Sequence, residues 1–203
     1  MIFNILEYLV GYPPIYNLMM SISTPKKINQ LFVNEYIRPH TGDRILDIGC
    51  GTATILDFLP DVRYIGFDME HRYINYAMKK YGPRGQFFCK KVTSDAITDN
   101  QKFEIILAKG VLHHLDDNEA TQLFILSSKL LKENGRLITL DGCYTSEQSW
   151  LARYPLIKDR GKFVRTREQY VNLAQTVFSN VEVHLRDDFS SLRTTQIIME
   201  CKS

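Results

Sequence analysis

The residues of this chain best suited to chemistry stand in four places: Asp47-Ile48-Gly49-Cys50-Gly51, Asp68, Lys109-Gly110-Val111-Leu112-His113-His114, and Asp141. In the first, the apolar run Arg44-Ile45-Leu46 ends in an acid, and two glycines follow one residue apart. Glycine has no Cβ, so the turn can take positive φ and a ligand can lie almost against the backbone. A helix starting there would offer unpaired N–H groups and a partial positive charge. The turn reads as a seat for a nucleoside-bearing cofactor. Asp68, about 20 residues on, can accept hydrogen bonds from both hydroxyls of a ribose, or can cap a helix beginning near Glu70. Imidazole as a group titrates near neutrality, so His113 or His114 could take a proton from an attacking hydroxyl while Asp141 orients the ring. The plainer alternative is that one histidine packs under a sheet while Asp117 caps the next helix.

These positions need strand ends to hold them, and the hydropathy pattern supplies strands. Apolar, β-rich runs occur at 44–48, 64–68, 86–92, 104–108 and 136–141, with helical patterns between most of them, notably 70–81 and 117–131. Such alternation implies a parallel sheet covered on both faces. Near the end, Thr166-x-x-Gln169 predicts a capping box opening a helix to about residue 177. Two strand-like runs follow, 181–186 and 194–201, with no crossover between them, so they must pair antiparallel. Residues 1–23 are aromatic and apolar, interrupted by Pro13-Pro14. Thr24-Pro25 predicts an N-cap and first-turn proline for a helix that Pro39 stops.

A dinucleotide fingerprint would place a third glycine where Thr54 stands, which counts against NAD, FAD or NADP. The run from Asp47 instead resembles motif I of the class I S-adenosylmethionine (SAM)-dependent methyltransferases, with Ala53 in place of the family's third glycine. The segment Val111-Leu112-His113-His114-Leu115 resembles one common in the small-molecule members. Five parallel strands followed by a helix and an antiparallel pair is also that family's chain order. The resemblance implies an α/β fold: a seven-stranded doubly wound sheet of order 3-2-1-4-5-7-6, last strand antiparallel. Residues 1–40 would form a helical N-terminal lid over a SAM-binding core, 41–203, in a single domain.

The same resemblance implies site residues. Asp47, Gly49, Cys50 and Gly51 would hold the amino-acid end of SAM, Asp68 the ribose, and Met69 the adenine face. A third motif would read the adenine edge through Lys91 and Val92, favoured by distance to the next strand, or through Asp95-Ala96. The backbone at Ala108 or Lys109 would pass the methionine part, and His113, His114 and Asp141 are the candidate catalytic residues. Tyr12 and Tyr16 of the lid, with Arg160 and Arg165 of the basic stretch 153–167, are candidates for the acceptor. Those arginines suggest an anionic small molecule.

Composition narrows the classes. With 203 residues, one domain is the expectation. A net charge of +2 implies neither a nucleic-acid nor a membrane partner. The Asn/Asp-Pro-Pro-Tyr/Phe tetrapeptide of many amino-methyltransferases is absent, which lowers nucleic-acid substrates further. The four scattered cysteines indicate neither zinc nor disulfides and fit a reducing, cytoplasmic compartment. No metal site, signal peptide or membrane span is read. The expected activity is methyl transfer to O, N or C of a small-molecule acceptor. The alternatives are a SAM- or nucleoside-binding module without that activity and, third, a dehydrogenase.

Overall fold

The structure, a computed structural model, describes residues 11–93, 97, 101–158 and 161–202. Five parallel strands, β1 (Arg44–Ile48), β2 (Arg63–Asp68), β3 (Gly85–Cys89), β4 (Phe103–Lys109) and β5 (Leu131–Tyr144), form most of the sheet. A two-residue β6 (Arg165–Thr166) pairs with the end of β5. The strands β7 (Asn180–Arg186) and β8 (Gln196–Lys202) are antiparallel to each other, and β8 runs against β5. The order across the sheet is β3-β2-β1-β4-β5-β8-β7, which is the expected 3-2-1-4-5-7-6 once β6 is set aside.

The central strands are apolar at every step because both faces are covered. Consecutive residues feed opposite cores: Leu46, Ile106 and Leu137 pack with Phe124 and Tyr170, whereas Ile45, Ile105 and Ile138 pack with Phe32 and Ile74. The first layer belongs to helices α4 (Asp117–Leu130) and α6 (Arg167–Gln175). The second belongs to α2 (Lys26–Phe32) and α3 (His71–Tyr81), with α1 (Pro13–Ser23) preceding them and α5 (Trp150–Lys158) following β5. The Thr166–Gln169 capping box forms as expected, each side chain meeting the other's backbone N–H.

Several local expectations are corrected. The turn after β1 leads into a single 3₁₀ turn, Thr54–Asp57, and not a full helix. Residues 49–62 must hold the glycine turn, a left-handed Ala53 (φ 55°) and Pro60, which leaves no length for α-helix and removes the dipole argument. Thr24 does not cap α2: its backbone N–H closes α1 on the Met20 carbonyl, and Pro25 stands at the N-cap. α2 runs on into a π turn, Val33–Ile37, and stops at left-handed Arg38 before Pro39. β3 ends at Cys89, short of Val92, because Lys90 begins the turn away from β2. β5 passes through Asp141 to Tyr144 because β6 and β8 both extend its pairing. Neither α5 nor β6 is signalled by the sequence pattern. Among the described residues no helix is long and apolar enough to cross a membrane.

Phe124 of α4 is fully buried and meets Phe178 edge-on at 6.2 Å between ring centroids. Phe124→Ala should cost about 3–5 kcal/mol and lower the thermal midpoint by roughly 10 °C with the circular-dichroism spectrum retained. A midpoint within about 2 °C of the parent would contradict this packing.

Candidate active site

The carboxyl ends of β1, β2, β4 and β5 open on a cleft of about 1350 Å³, closed on one side by α1 and α2. Topology explains the place: strand order reverses beside β1, and the loops leaving β1 and β4 diverge there. Gly49 (φ 72°) and Gly51 (φ 55°) occupy the left-handed region that favours glycine. The N–H groups of Gly49 and Cys50 donate to the Phe67 carbonyl at 2.8 and 2.9 Å. A Cβ on Gly49 would come within 2.6 Å of a Val111 methyl, so the bare Cα lets the loop after β4 nest against the turn.

Asp68 ends β2 and ties it to both neighbours. One carboxylate oxygen accepts from the Gly51 N–H and the other from the Glu70 N–H, each at 2.8 Å. Asp68 is not the cap of α3: Glu70 takes that role, its own carboxylate accepting from the Arg72 N–H, while Asp68 holds the Glu70 N–H and stands on the cleft wall. Cys50 lies beside it, its sulfur against Gly66, and burial pushes its thiol far above the ordinary range. The thiolate is therefore disfavoured at Cys50.

Asp47 is 5 % exposed and accepts the Tyr64 hydroxyl hydrogen bond. Burial pushes its carboxyl up to about 7, against the opposing pulls of the Tyr64 hydrogen bond and the Lys109 charge. Burial likewise pushes the Lys109 ammonium down to about 8, with Asp47 pulling the other way. Lys109 Nζ donates to Asn29 Oδ1 of α2 at 2.7 Å.

On the far side of the cleft, His113 Nδ1 lies 2.7 Å from Asp141 Oδ1, and the His113 backbone N–H donates to the same oxygen at 3.2 Å. Asp141 is 1 % exposed, and its second oxygen is buried without a hydrogen-bond partner among the described residues. The His113 and His114 rings are 4.1 Å apart, and both line the cleft. Asp117 is not the cap of α4. Asp116 takes that role in a capping box with Glu119, because it is the residue whose extended backbone precedes the first helical turn.

Arg165 corrects a second expectation. It is 5 % exposed, and all five of its N–H donors are engaged: Nε and one Nη2 hydrogen with Asp117, the other Nη2 hydrogen with the Leu115 carbonyl, and Nη1 with the carbonyls of Leu112 and Phe163. It has nothing left for an acceptor. Its work is to hold the loop carrying His113 and His114.

The remaining expected residues divide. Tyr16 lines the cleft, stacks on Tyr73 at 4.4 Å and places its hydroxyl by Gly51. Tyr12 is 57 % exposed at the start of α1 and is not on the cleft wall, since its N-cap position turns it outward. Met69, 72 % exposed, lines the cleft, as do Val92 and Lys91, the latter paired with Glu119 at 3.3 Å. Arg160 and the pair Asp95-Ala96 lie outside the described residues. Sequence reasoning passed over Tyr64, Asn29, and the Thr52–Asn17 hydrogen bond that fastens α1 to the turn. Only Tyr64 carried a signal, a polar tip on a strand facing Asp47's face of the sheet.

Residues 45–135 match the family described as a methyltransferase domain. The chain is 26 % identical over 154 residues to phosphoethanolamine N-methyltransferase of Triticum aestivum, an alignment covering 72 % of this chain and 30 % of the wheat protein. The chain thus spans less than a third of that relative's length. Among solved structures it resembles a TehB-like SAM-dependent methyltransferase of Corynebacterium glutamicum (TM-score 0.61, 17 % identity, 87 % of this chain and 88 % of that one). It also resembles geranyl diphosphate C-methyltransferase of Streptomyces coelicolor, solved with S-adenosyl-L-homocysteine (TM-score 0.68, 12 % identity, 88 % and 79 % covered). At these identities the structural likeness is one of fold.

Two outcomes follow from the geometry. Asp47's folded value lies above its ordinary one, so the ligand-free fold favours the protonated carboxyl, and stability falls as pH rises from about 4 to about 7. Asp47→Asn should abolish that decline and melt several degrees higher than the parent at pH 8; an equal or lower midpoint would refute the burial penalty. Arg165→Met removes the side-chain donors to the Leu112, Leu115 and Phe163 carbonyls, the first of them buried, and should lose roughly 1–3 kcal/mol in denaturant unfolding, where a merely solvated arginine would cost under about 0.5.

Proposed function

We propose that this chain, as a class I SAM-dependent methyltransferase, moves a methyl group to an oxygen, nitrogen or carbon of a small-molecule acceptor, with His113 as its base. When bound, the cofactor supplies a methyl already activated on a sulfonium. The residues present suit it: a turn bare of Cβ atoms at Gly49 and Gly51, a carboxylate at each adjoining strand end, and a cleft of sufficient volume. Asp47 and the turn backbone meet the amino-acid end, Asp68 the ribose, and Met69, Lys91 and Val92 the adenine.

Displacement at a sulfonium asks the protein mainly to align nucleophile and methyl. A proton must still leave an acceptor hydroxyl or ammonium. The single observation that carries the assignment of the base is the 2.7 Å contact between His113 Nδ1 and buried Asp141. It fixes the ring and compensates the charge that the ring gains, which makes Asp141 a positioning residue. Val111, packed on Gly49, couples that loop to the cofactor turn.

An acceptor of the amino-alcohol phosphate class agrees with the wheat relative, named for phosphoethanolamine, and with Lys26 and Lys90 at the cleft. Arg165 no longer supports an anionic acceptor. The four free cysteines favour a reducing, cytoplasmic setting, and no nucleic-acid partner is invoked.

Transfer of labelled methyl from SAM across a panel of hydroxyl and amine acceptors, phosphoethanolamine included, tests this. His113→Gln should lower kcat by roughly 10²–10⁴-fold with affinity for S-adenosylhomocysteine within about threefold. An active His113→Gln enzyme would remove His113 from the mechanism.

A further inference from the structure

One buried cation in the cleft has no task in the reaction described so far. Lys109 ends β4, and the resemblance assigned it a backbone contact alone. Its ammonium has three donors, of which one reaches Asn29 Oδ1 at 2.7 Å, and it stands 5.9 Å from the centroid of the Phe32 ring. Among the described residues, the charge that acts on it is the Asp47 carboxylate.

The sheet register sets these two side chains on one face. Asp47 pairs with Leu107 across β1 and β4, and Lys109 is two residues beyond Leu107. Paired residues share a face and residues two apart share it again, so Asp47 and Lys109 project together toward α2. Asn29 of α2 meets Lys109 there, and the left-handed turn at Gly49 begins beside Asp47. Two opposite charges thus stand at adjoining strand ends, next to the backbone of the cofactor turn.

That arrangement has a chemical complement. The amino-acid end of SAM carries an ammonium and a carboxylate on one carbon, so a site for it gains from one anion and one cation set side by side. Asp47 is the anion. We infer that Lys109 Nζ, held by Asn29, binds the carboxylate of the cofactor's amino-acid end and makes the site select the intact zwitterion. Asn29 is a neutral partner and gives Lys109 direction without cancelling its charge, leaving two donors for the incoming carboxylate. The lysine extends beneath α2, so the same contact ties the N-terminal helices to the state of the cofactor site.

This inference rests on the SAM reading above, and its test separates the two. Calorimetric titrations with SAM and with decarboxylated SAM, which keeps the sulfonium and the ammonium but lacks the carboxylate, compare the intact protein with Lys109→Met. The intact protein should prefer SAM by roughly tenfold to a hundredfold, the effect of a charge-assisted hydrogen bond. Lys109→Met should bind decarboxylated SAM as the parent does and lose the preference. Methionine keeps the volume and removes a buried charge, so the variant should fold, and a thermal melt checks this. Asn29→Ala, which leaves β4 untouched, should reduce the preference severalfold. If Lys109→Met and Asn29→Ala both keep the parental preference, the inference is overturned while the cofactor reading stands. If the intact protein binds neither compound, both are overturned.

Discussion

A carboxylate at the end of a central parallel strand has almost no water to solvate it, and Asp47 stands in that position. Burial drives its carboxyl up to about 7, and the Tyr64 hydroxyl and Lys109 ammonium offset only part of the cost. Stability alone would replace it with an apolar or amide side chain. β2 supplies Tyr64 and β4 supplies Lys109, while the N–H groups of the glycine turn are spent on the Phe67 carbonyl and the Asp68 carboxylate. Asp47 and Lys109 are both desolvated, and each partly offsets the cost of the other.

The other wall of the cleft is built on the opposite principle, with polar groups satisfied before any ligand arrives. Arg165 spends all its donors on the loop after β4 and on Asp117, so the His113 ring is presented by a locked backbone. Asp141 then fixes the ring from β5. One wall of the cleft thus carries a buried carboxyl whose desolvation is only partly offset, and the other carries a ring whose position is already set.

Much of this was legible in the residues. The alternation of strands and helices and the antiparallel ending were legible in the apolar runs, since a missing crossover after 181–186 leaves only an antiparallel partner, whereas the strand order came from the family resemblance. The glycine turn, Asp68 and the closeness of His113 to Asp141 followed from strand ends being adjacent. Illegible were the features that depend on side-chain direction. A basic stretch says nothing about which arginine turns inward, so Arg165 passed for a surface cation when it is a buried clamp. Thr24 and Asp117 had the right residue types for caps, but the backbone turned one residue away from each. A helix was expected to start at the glycine turn, and the apolar pattern could not reveal that a left-handed Ala53 and a single 3₁₀ turn, Thr54–Asp57, take its place. The pairing of Lys109 with Asn29 joins positions 80 residues apart, and no local pattern encodes it.

The strand ends around Asp47 suit an adenosyl amino acid and not a dinucleotide. Calorimetric titration of the protein with S-adenosylhomocysteine, run beside NAD under the same conditions, tests it most directly. Saturable binding of S-adenosylhomocysteine at one site, with no measurable heat from NAD, is the expected result; tight NAD binding without S-adenosylhomocysteine binding would contradict it.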